Sequence, residues 1–476
     1  MNTINSQIHH HVPEIVRKSP QEVTDDALGS TASTGSRYKL AVIGLAILTL
    51  IGAVAVISRL FSDATDHRQW GYLAAAFAFI ITTGMSAPMV AIAPRLAKAH
   101  FNKPISRAAE LWAVVGLINV LIFIPLLVTL PSDAGRRTFW FADLYRDGWP
   151  PGAPHVWLTI GVVLLVINGF ALLWAGAIPD LAAARDRAPR GSKGLSNRLS
   201  LNWQGTAGQW RLLRTGIGLL GAFYFISLIF VHTIVSFDLA QSLVPGWRDS
   251  IFPTHHALSG LQSALATTLV TMFLLRTFGG MKDYIGRDQF WALSKLLLAT
   301  SLLWAYFWWS GFIVFWYGRT PVEQNVLHLF MVGPYKPLFL TTFALNFLVP
   351  FVFLIWSPIR RSILGPTLIS CSVLIGTLLD RIRIYVASYS VGLDGQEGQI
   401  DLHLSPAEFA QKITATLPGV GDVMMVVGAI AGAVLVYLLA IKIIPVINIW
   451  EIKQTILLQQ VRSLNKVELK VVGKPE

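Results

Sequence analysis

The chain is almost without cysteine. Cys371 is the single thiol in 476 residues, which excludes a disulfide framework and a self-ligated iron–sulfur cluster, since such clusters are usually held by four thiolates. Charge is scarce as well. Asp, Glu, Lys and Arg make up 13% of the residues, about half the share in an ordinary globular protein. A water-soluble chain of this size could not cover its surface with so few charges. The sequence also lacks a phosphate-binding glycine loop, a dinucleotide fingerprint, a nucleophile elbow and a zinc-binding histidine pair. It therefore carries no redox cofactor motif of its own.

What it has in abundance is apolar side chains, 54% of the total, with 16 Trp among them. Mean hydropathy is +0.56. A bilayer is the solvent that fits this composition, and Trp favours bilayer interfaces. Ten stretches approach the roughly 20 apolar residues that a crossing helix needs. They lie at about 39–61, 70–93, 109–130, 155–178, 213–237, 257–278, 290–317, 338–356, 363–389 and 420–447. The expected fold is all-α and polytopic. The eighth span is the weakest, being short and containing Pro350. Residues 1–37 read as a disordered polar tail, too long and too acidic for a signal peptide. Residues 38–447 form the membrane domain, and 448–476 a second tail.

The net charge is +12. The cations sit mainly in loops between apolar spans, so they report membrane orientation and not nucleic-acid binding. Lys and Arg in the two tails and the even-numbered loops outnumber those in the odd-numbered loops by about three to one. That bias places both termini in the cytoplasm, and an odd number of spans would break it. The loops at 131–154, 238–256, 318–337 and 390–419 then lie outside, large enough to dock a peripheral subunit.

Ionisable groups inside lipid cost several kcal/mol unless paired or hydrated, so they are the first candidates for function. The ninth span contains Asp380-Arg381-Ile382-Arg383-Ile384-Tyr385. Asp380 and Arg383 are three apart and share a helix face. This spacing suits a structural ion pair or a ligand-anchoring arginine. In the fifth span His232 lies near the outer leaflet, with Asp238 at the mouth. Imidazole and carboxylate together can take up and pass on protons near neutral pH. His255 and His256 open the sixth span on the same side, and His155 opens the fourth. Only His232 is clearly inside a span, which argues against haem held between two histidines. On the cytoplasmic half, Asp180 and Lys295 could join Asp380 and Arg381 in a proton path, or snorkel to the interface.

Several stretches together resemble the NrfD-like (polysulfide reductase) family of membrane subunits, and within it the ActC-type subunit of alternative complex III. They include Trp174-Ala-Gly-Ala-Ile-Pro-Asp-Leu-Ala-Ala-Ala-Arg-Asp-Arg187, His232-Thr-Ile-Val-Ser-Phe-Asp-Leu-Ala240, Pro245-Gly-Trp247, Ile251-Phe-Pro253, Asn346-Phe-Leu-Val-Pro350, Pro358-Ile-Arg-Arg-Ser362 and the Asp380–Tyr385 cluster. The resemblance implies two four-helix bundles, at about 70–237 and 257–389, flanked by the first and last spans. It implies a bacterial inner-membrane subunit of a respiratory oxidoreductase complex. A quinone pocket (menaquinone or ubiquinone) would lie near the outer face, beside an iron–sulfur subunit, with molybdopterin or multihaem cytochrome subunits as further partners. His155, His232 and Asp238 would handle protons, and Arg383, Tyr385 and His255 would contact the quinone. The chain departs from the pattern in two places. The third span ends without the family's histidine, and the fourth begins His155-Val-Trp-Leu158 with Leu158 where an aspartate is expected. A structural anchor with a degenerate site, or a secondary transporter with helices broken near 86–88 and 346–350, are the alternatives.

Overall fold

The computed structural model describes residues 18–62, 67–99, 101–129, 155–188, 194–244, 246–391, 404–464 and 467–472, with the side chains of His67, His155 and all residues after Leu458 outside that description. The principal helices are α1 (Pro20–Ala32), α2 (Ser36–Ser62), α3 (Gly71–Thr82) and α4 (Met89–Leu96). They continue with α5 (Ser106–Thr129), α6 (His155–Arg187), α7 (Ala207–Asp238), α8 (Phe252–Phe278) and α9 (Arg287–Gly318). The last are α10 (Lys336–Leu354), α11 (Leu364–Ser390), α12 (Val420–Ala440) and α13 (Ile449–Leu458). An antiparallel pair, β1 (Gln459–Leu464) and β2 (Val467–Val472), follows α13.

Among the described residues eight helices are long and apolar enough to cross a membrane: α2, α5, α6, α7, α8, α9, α10 and α12. Two of the ten expected spans fall short of that, for different reasons. The stretch expected at 70–93 is broken between α3 and α4, at residues 83–88. Helix α11 is 27 residues long but carries Asp380, Arg381 and Arg383. Large apolar side chains such as Leu40, Leu50, Leu121 and Leu219 are exposed, as expected where the solvent is hydrocarbon.

Each break has a local cause. Proline lacks the N–H that would bond the carbonyl four residues back. Pro350 therefore frees the carbonyl of Asn346, and the helix widens into a π turn over Ala344–Leu348. Gln262 of α8 donates its Nε2 hydrogen to that carbonyl at 2.7 Å. Gly376 makes room, because a Cβ there would lie 2.6 Å from Asn346 Oδ1. At the other break, which ends at Pro88, the Ser86 hydroxyl donates to Ile81 O at 2.8 Å and Tyr224 donates to Met85 O at 2.5 Å. In a membrane every freed carbonyl needs such a partner.

The first and last long helices pair closely. Gly52 of α2 and Gly428 of α12 face each other, and a Cβ on Gly52 would lie 2.6 Å from the Cα of Gly428. Small residues let membrane helices approach in this way. Arg59 and Asp422 close the same pair at one end, 2.6 Å apart. Helix α3 packs most extensively on α11 and α8 on both α9 and α11, so contacts run across the two expected bundles as well as within them.

The expected disordered tail is corrected in part. Residues 20–32 form α1, begun by a capping box in which Ser19 and Glu22 bond each other's backbone N–H groups. Lys18 bridges Asp26 and Asp283 at 2.5 and 2.9 Å, and Tyr284 donates to Asp26 at 2.7 Å. Docking against polar partners supplied the order that local composition does not indicate. Residues 1–17 and the loop at 131–154 lie outside the described residues.

Candidate functional site

Four side chains from four different segments form one continuous hydrogen-bonded chain. His232 near the end of α7 is fully buried, as is His256 in the first turns of α8. Their Nδ1 atoms are 2.8 Å apart. His256 Nε2 lies 2.9 Å from the hydroxyl of Tyr385 on α11. His232 Nε2 lies 3.2 Å from Ser86 Oγ in the α3–α4 break. Two imidazoles that share one hydrogen need one lone pair between them, so at least one ring is uncharged. The Ser86 hydrogen is committed to Ile81 O. Ser86 Oγ then accepts from His232 Nε2–H, His232 Nδ1 accepts from His256 Nδ1–H, and His256 Nε2 accepts from Tyr385 O–H. Every link is satisfied with one polarity. The 2.8 Å Nδ1–Nδ1 distance is shorter than the roughly 4 Å between two nitrogens on opposite sides of one metal, each bonded at about 2 Å. The pair is not set to grip an iron between its rings. Among the described residues no group of three or more His, Cys, Asp or Glu could hold a metal ion.

Gly260, one turn beyond His256, makes the chain possible. A Cβ there would lie 2.6 Å from His232 Nε2 and 2.9 Å from Ser86 Oγ.

Next to the chain is a narrow cleft of about 60 Å³ whose walls include Trp247, Asp249, His255, Trp308, Phe312 and Arg383. Arg383 is held by Asp380 at 2.7 Å and donates to Phe330 O at 3.1 Å. His255 lies tilted against Trp304, with ring centroids 4.9 Å apart, and its Nε2 has no hydrogen-bond partner among the described residues. The buried Arg381 guanidinium makes no hydrogen bond among them either, and its closest ionic neighbour is Asp380 at 3.9 Å. Asp249, in the loop before α8, accepts from the N–H groups of Ile251 at 2.8 Å and Phe252 at 3.0 Å. Burial pushes its carboxyl above the usual range, and those two N–H groups act against the shift.

The expected residues divide as follows. His232, His255, Asp380, Arg381, Arg383 and Tyr385 do converge. The Asp380–Arg383 pair expected from the three-residue spacing is present. His256 enters the chain, whereas its neighbour His255 faces the cleft. Asp238 is not at an open mouth but fully buried; six residues past His232, it projects about 120° round α7 from it. Lys295 lies exposed on α9 with its ammonium 4.2 Å from the Trp291 ring centre, as a snorkelling lysine does. It joins neither Asp180 nor Asp380. The His155 side chain lies outside the described residues.

Asp180 belongs to a second, separate cluster at the opposite end of the helices. Arg107 reaches Asp180 at 3.1 Å and Gly176 O at 2.6 Å. Arg95 bridges Glu110 at 2.7 Å and Glu451 of α13 at 2.9 Å. Ser106 donates to Glu451 at 2.5 Å, and the Trp450 N–H points at Asp180 at 3.3 Å. Sequence reasoning missed Ser86, Asp249, Arg95, Arg107, Glu110 and Glu451. The helix interruption before Pro88 and the Arg107–Glu110 spacing were the available signals. A larger cavity of about 580 Å³ lies between α2, α3, α8 and α12. Its walls are mainly apolar and hold none of the histidines.

Residues 62–392 match the family described as Polysulphide reductase, NrfD. No curated protein matches the chain. The family match covers His232, His256, Ser86, Tyr385 and the Asp380–Arg383 pair. It makes the chain a multi-pass membrane subunit of an oxidoreductase family with a general role in electron transport, whose members work beside catalytic or electron-carrier subunits.

Proposed function

The chain belongs to the polysulphide reductase NrfD family, and from that premise we propose that it exchanges electrons between an iron–sulfur subunit and a quinone at the membrane face opposite its termini. The observation that carries this reading is the Ser86–His232–His256–Tyr385 chain beside a cleft containing Arg383 and His255. This reading takes the ActC-type subunit of alternative complex III as its analogue, for which ten crossings would be the matching topology. In support of ten, the α4 end meets α13 through Arg95–Glu451, and the α3 start meets the end of α11 at Gly71 and Tyr389.

A quinol in the cleft would supply two electrons to the partner's cluster and two protons to the protein. The donors suited to its oxygens are Arg383 and His255 Nε2, which has no partner among the described residues. Trp308 and Phe312 would have to part for a ring to enter, because the cleft volume is only about 60 Å³, below the range of typical ligand sites. Tyr385 stands at the donor end of the relay. A proton arriving at its oxygen displaces its own hydrogen onto His256 Nε2, and the His256 Nδ1 hydrogen moves to His232. This is general acid–base work by imidazole.

Replacing His232 with Ala in the assembled complex should abolish quinol-dependent electron transfer. Unchanged turnover would remove the relay role. A second reading, a membrane anchor with a degenerate site, draws on Leu158, which is fully buried where the resemblance expects an aspartate. Tight quinone binding by the purified chain would exclude it. A transporter reading draws on the two broken helices. The carbonyls of Asn346 and Met85 are already taken by Gln262 and Tyr224, so they do not offer themselves to an ion. Ligand-dependent flux in liposomes would reinstate it.

A further inference from the structure

At the same end as the Arg95–Glu451 bridge, a second open cavity of about 650 Å³ lies between the first turns of α7 and helix α13. Its lining includes Trp210, Arg211, Arg214, Trp450 and Lys453 and, among the described residues, no carboxylate. Arg211 and Arg214 are exposed. Lys103 stands close by, donating at 3.4 Å to Gln454, which also lines the cavity. Burial lowers the Lys103 pKa, and the Arg214 charge lowers it further, while Glu451 opposes them. Lys103 and Arg214 are thus near enough to repel each other. Trp210 and Trp450 meet with ring centroids 5.5 Å apart. Just beyond them α7 turns apolar, with Leu212 and Leu219 exposed. Aromatic rings at this junction mark the headgroup level of a bilayer.

We propose that this cavity is a binding site for the phosphate of an anionic membrane phospholipid, with the acyl chains lying along the exposed apolar face of α7. Charge decides the occupant. Three cations in a lining without a described carboxylate favour a phosphodiester, with Asp180, which acts on Lys453 from behind, already held by Arg107, and basic pockets between helices at a membrane surface bind such headgroups. Position selects a lipid over a soluble anion, because the cations flank the point where α7 enters hydrocarbon. The bound lipid would join α7 to α13, and α13 delivers Glu451 to Arg95 and Ser106. The site lies away from the histidine chain, so it stands or falls independently of the quinone reading.

The test uses the full chain in nanodiscs of phosphatidylcholine doped with phosphatidylglycerol, and mass spectrometry counts the lipid retained after a detergent wash. Preferential retention of phosphatidylglycerol is expected. It should fall roughly fivefold for each cation removed, in Arg211→Gln, Arg214→Gln and Lys453→Gln. Arg211→Lys and Arg214→Lys should keep most of it, as should Arg37→Gln, which removes the same charge elsewhere on that face. Should the glutamine variants fail to fold, quenching of Trp210 by brominated phosphatidylglycerol, read as the difference from Trp210→Phe, gives the same answer in the wild-type background. Equal retention of both lipids, or equal quenching by brominated phosphatidylcholine, overturns the proposal. Full competition by inorganic phosphate overturns the lipid assignment.

Discussion

At one end of the helices Arg95, Arg107, Glu110, Asp180 and Glu451 meet as opposite charges; towards the other, Ser86, His232, His256 and Tyr385 are joined by hydrogen bonds with no salt bridge among them. The first cluster fixes geometry. Its charges hold α4, α5 and α6 to α13, and moving a proton would leave a buried partner unpaired. The second cluster has interchangeable hydrogens. Each imidazole can give from one nitrogen while taking at the other, so a proton can shift along it without moving a heavy atom. Burial alone therefore does not identify a working group in a membrane protein. The kind of bond that satisfies it does.

That contrast can be broken by experiment. The largest effect is expected at the relay. His256→Phe and Tyr385→Phe in the assembled complex should lower quinol-dependent turnover by about 10²–10⁴-fold. Tyr385→Phe should cost only about 1 kcal/mol of stability, the net value of one hydrogen bond. A stability loss without a turnover loss would reverse the roles of the clusters. The next effect is at the ionic cluster. Arg107→Met should destabilise the chain by about 3–5 kcal/mol in thermal unfolding, because Asp180 loses its counter-charge. Arg107→Met combined with Asp180→Leu should recover most of that loss, and failure to recover would show that Asp180 is needed for more than pairing.

Gly260→Ala comes third. The new methyl must push His232 or Ser86 aside, at a cost of about 1–3 kcal/mol, and turnover should fall with it. Normal turnover in that variant would show that the Ser86 link is dispensable. The smallest effect concerns Asp249. Its carboxyl holds a proton to higher pH when folded than when unfolded. Between the ordinary carboxylate range and that raised value the native state binds more protons, so stability falls as pH rises through this window. Asp249→Asn should flatten that slope in pH-dependent unfolding, and an unchanged slope would assign it to other groups.

Much of this was legible from residue order, for identifiable reasons. Runs of apolar residues specify membrane helices because no other backbone conformation is satisfied in lipid except a closed barrel. Asp380 and Arg383 were paired from their spacing, since three residues nearly complete a turn. The breaks near Pro88 and Pro350 were visible because proline lacks a donor. Residues 20–32 were misread because the Ser19–Glu22 capping signal was outweighed by polar composition, and the contacts of Asp26 with Lys18 and Tyr284 that dock the helix leave no trace in it. The partnership of His256 and Ser86 with His232 was out of reach for the same reason. One looked like a helix-starting histidine, and the other like a helix-breaking serine.

Residue order therefore settled the all-α polytopic class, the family and one intrahelical ion pair, all of which depend on patterns along a single segment. Folding alone determined that Ser86, His232, His256 and Tyr385 would meet, that Asp180 would be clamped by Arg107, and that Lys295 would be left outside. Those outcomes depend on which faces of separate helices pack together, and a partner drawn from a distant segment leaves no periodic trace in either one.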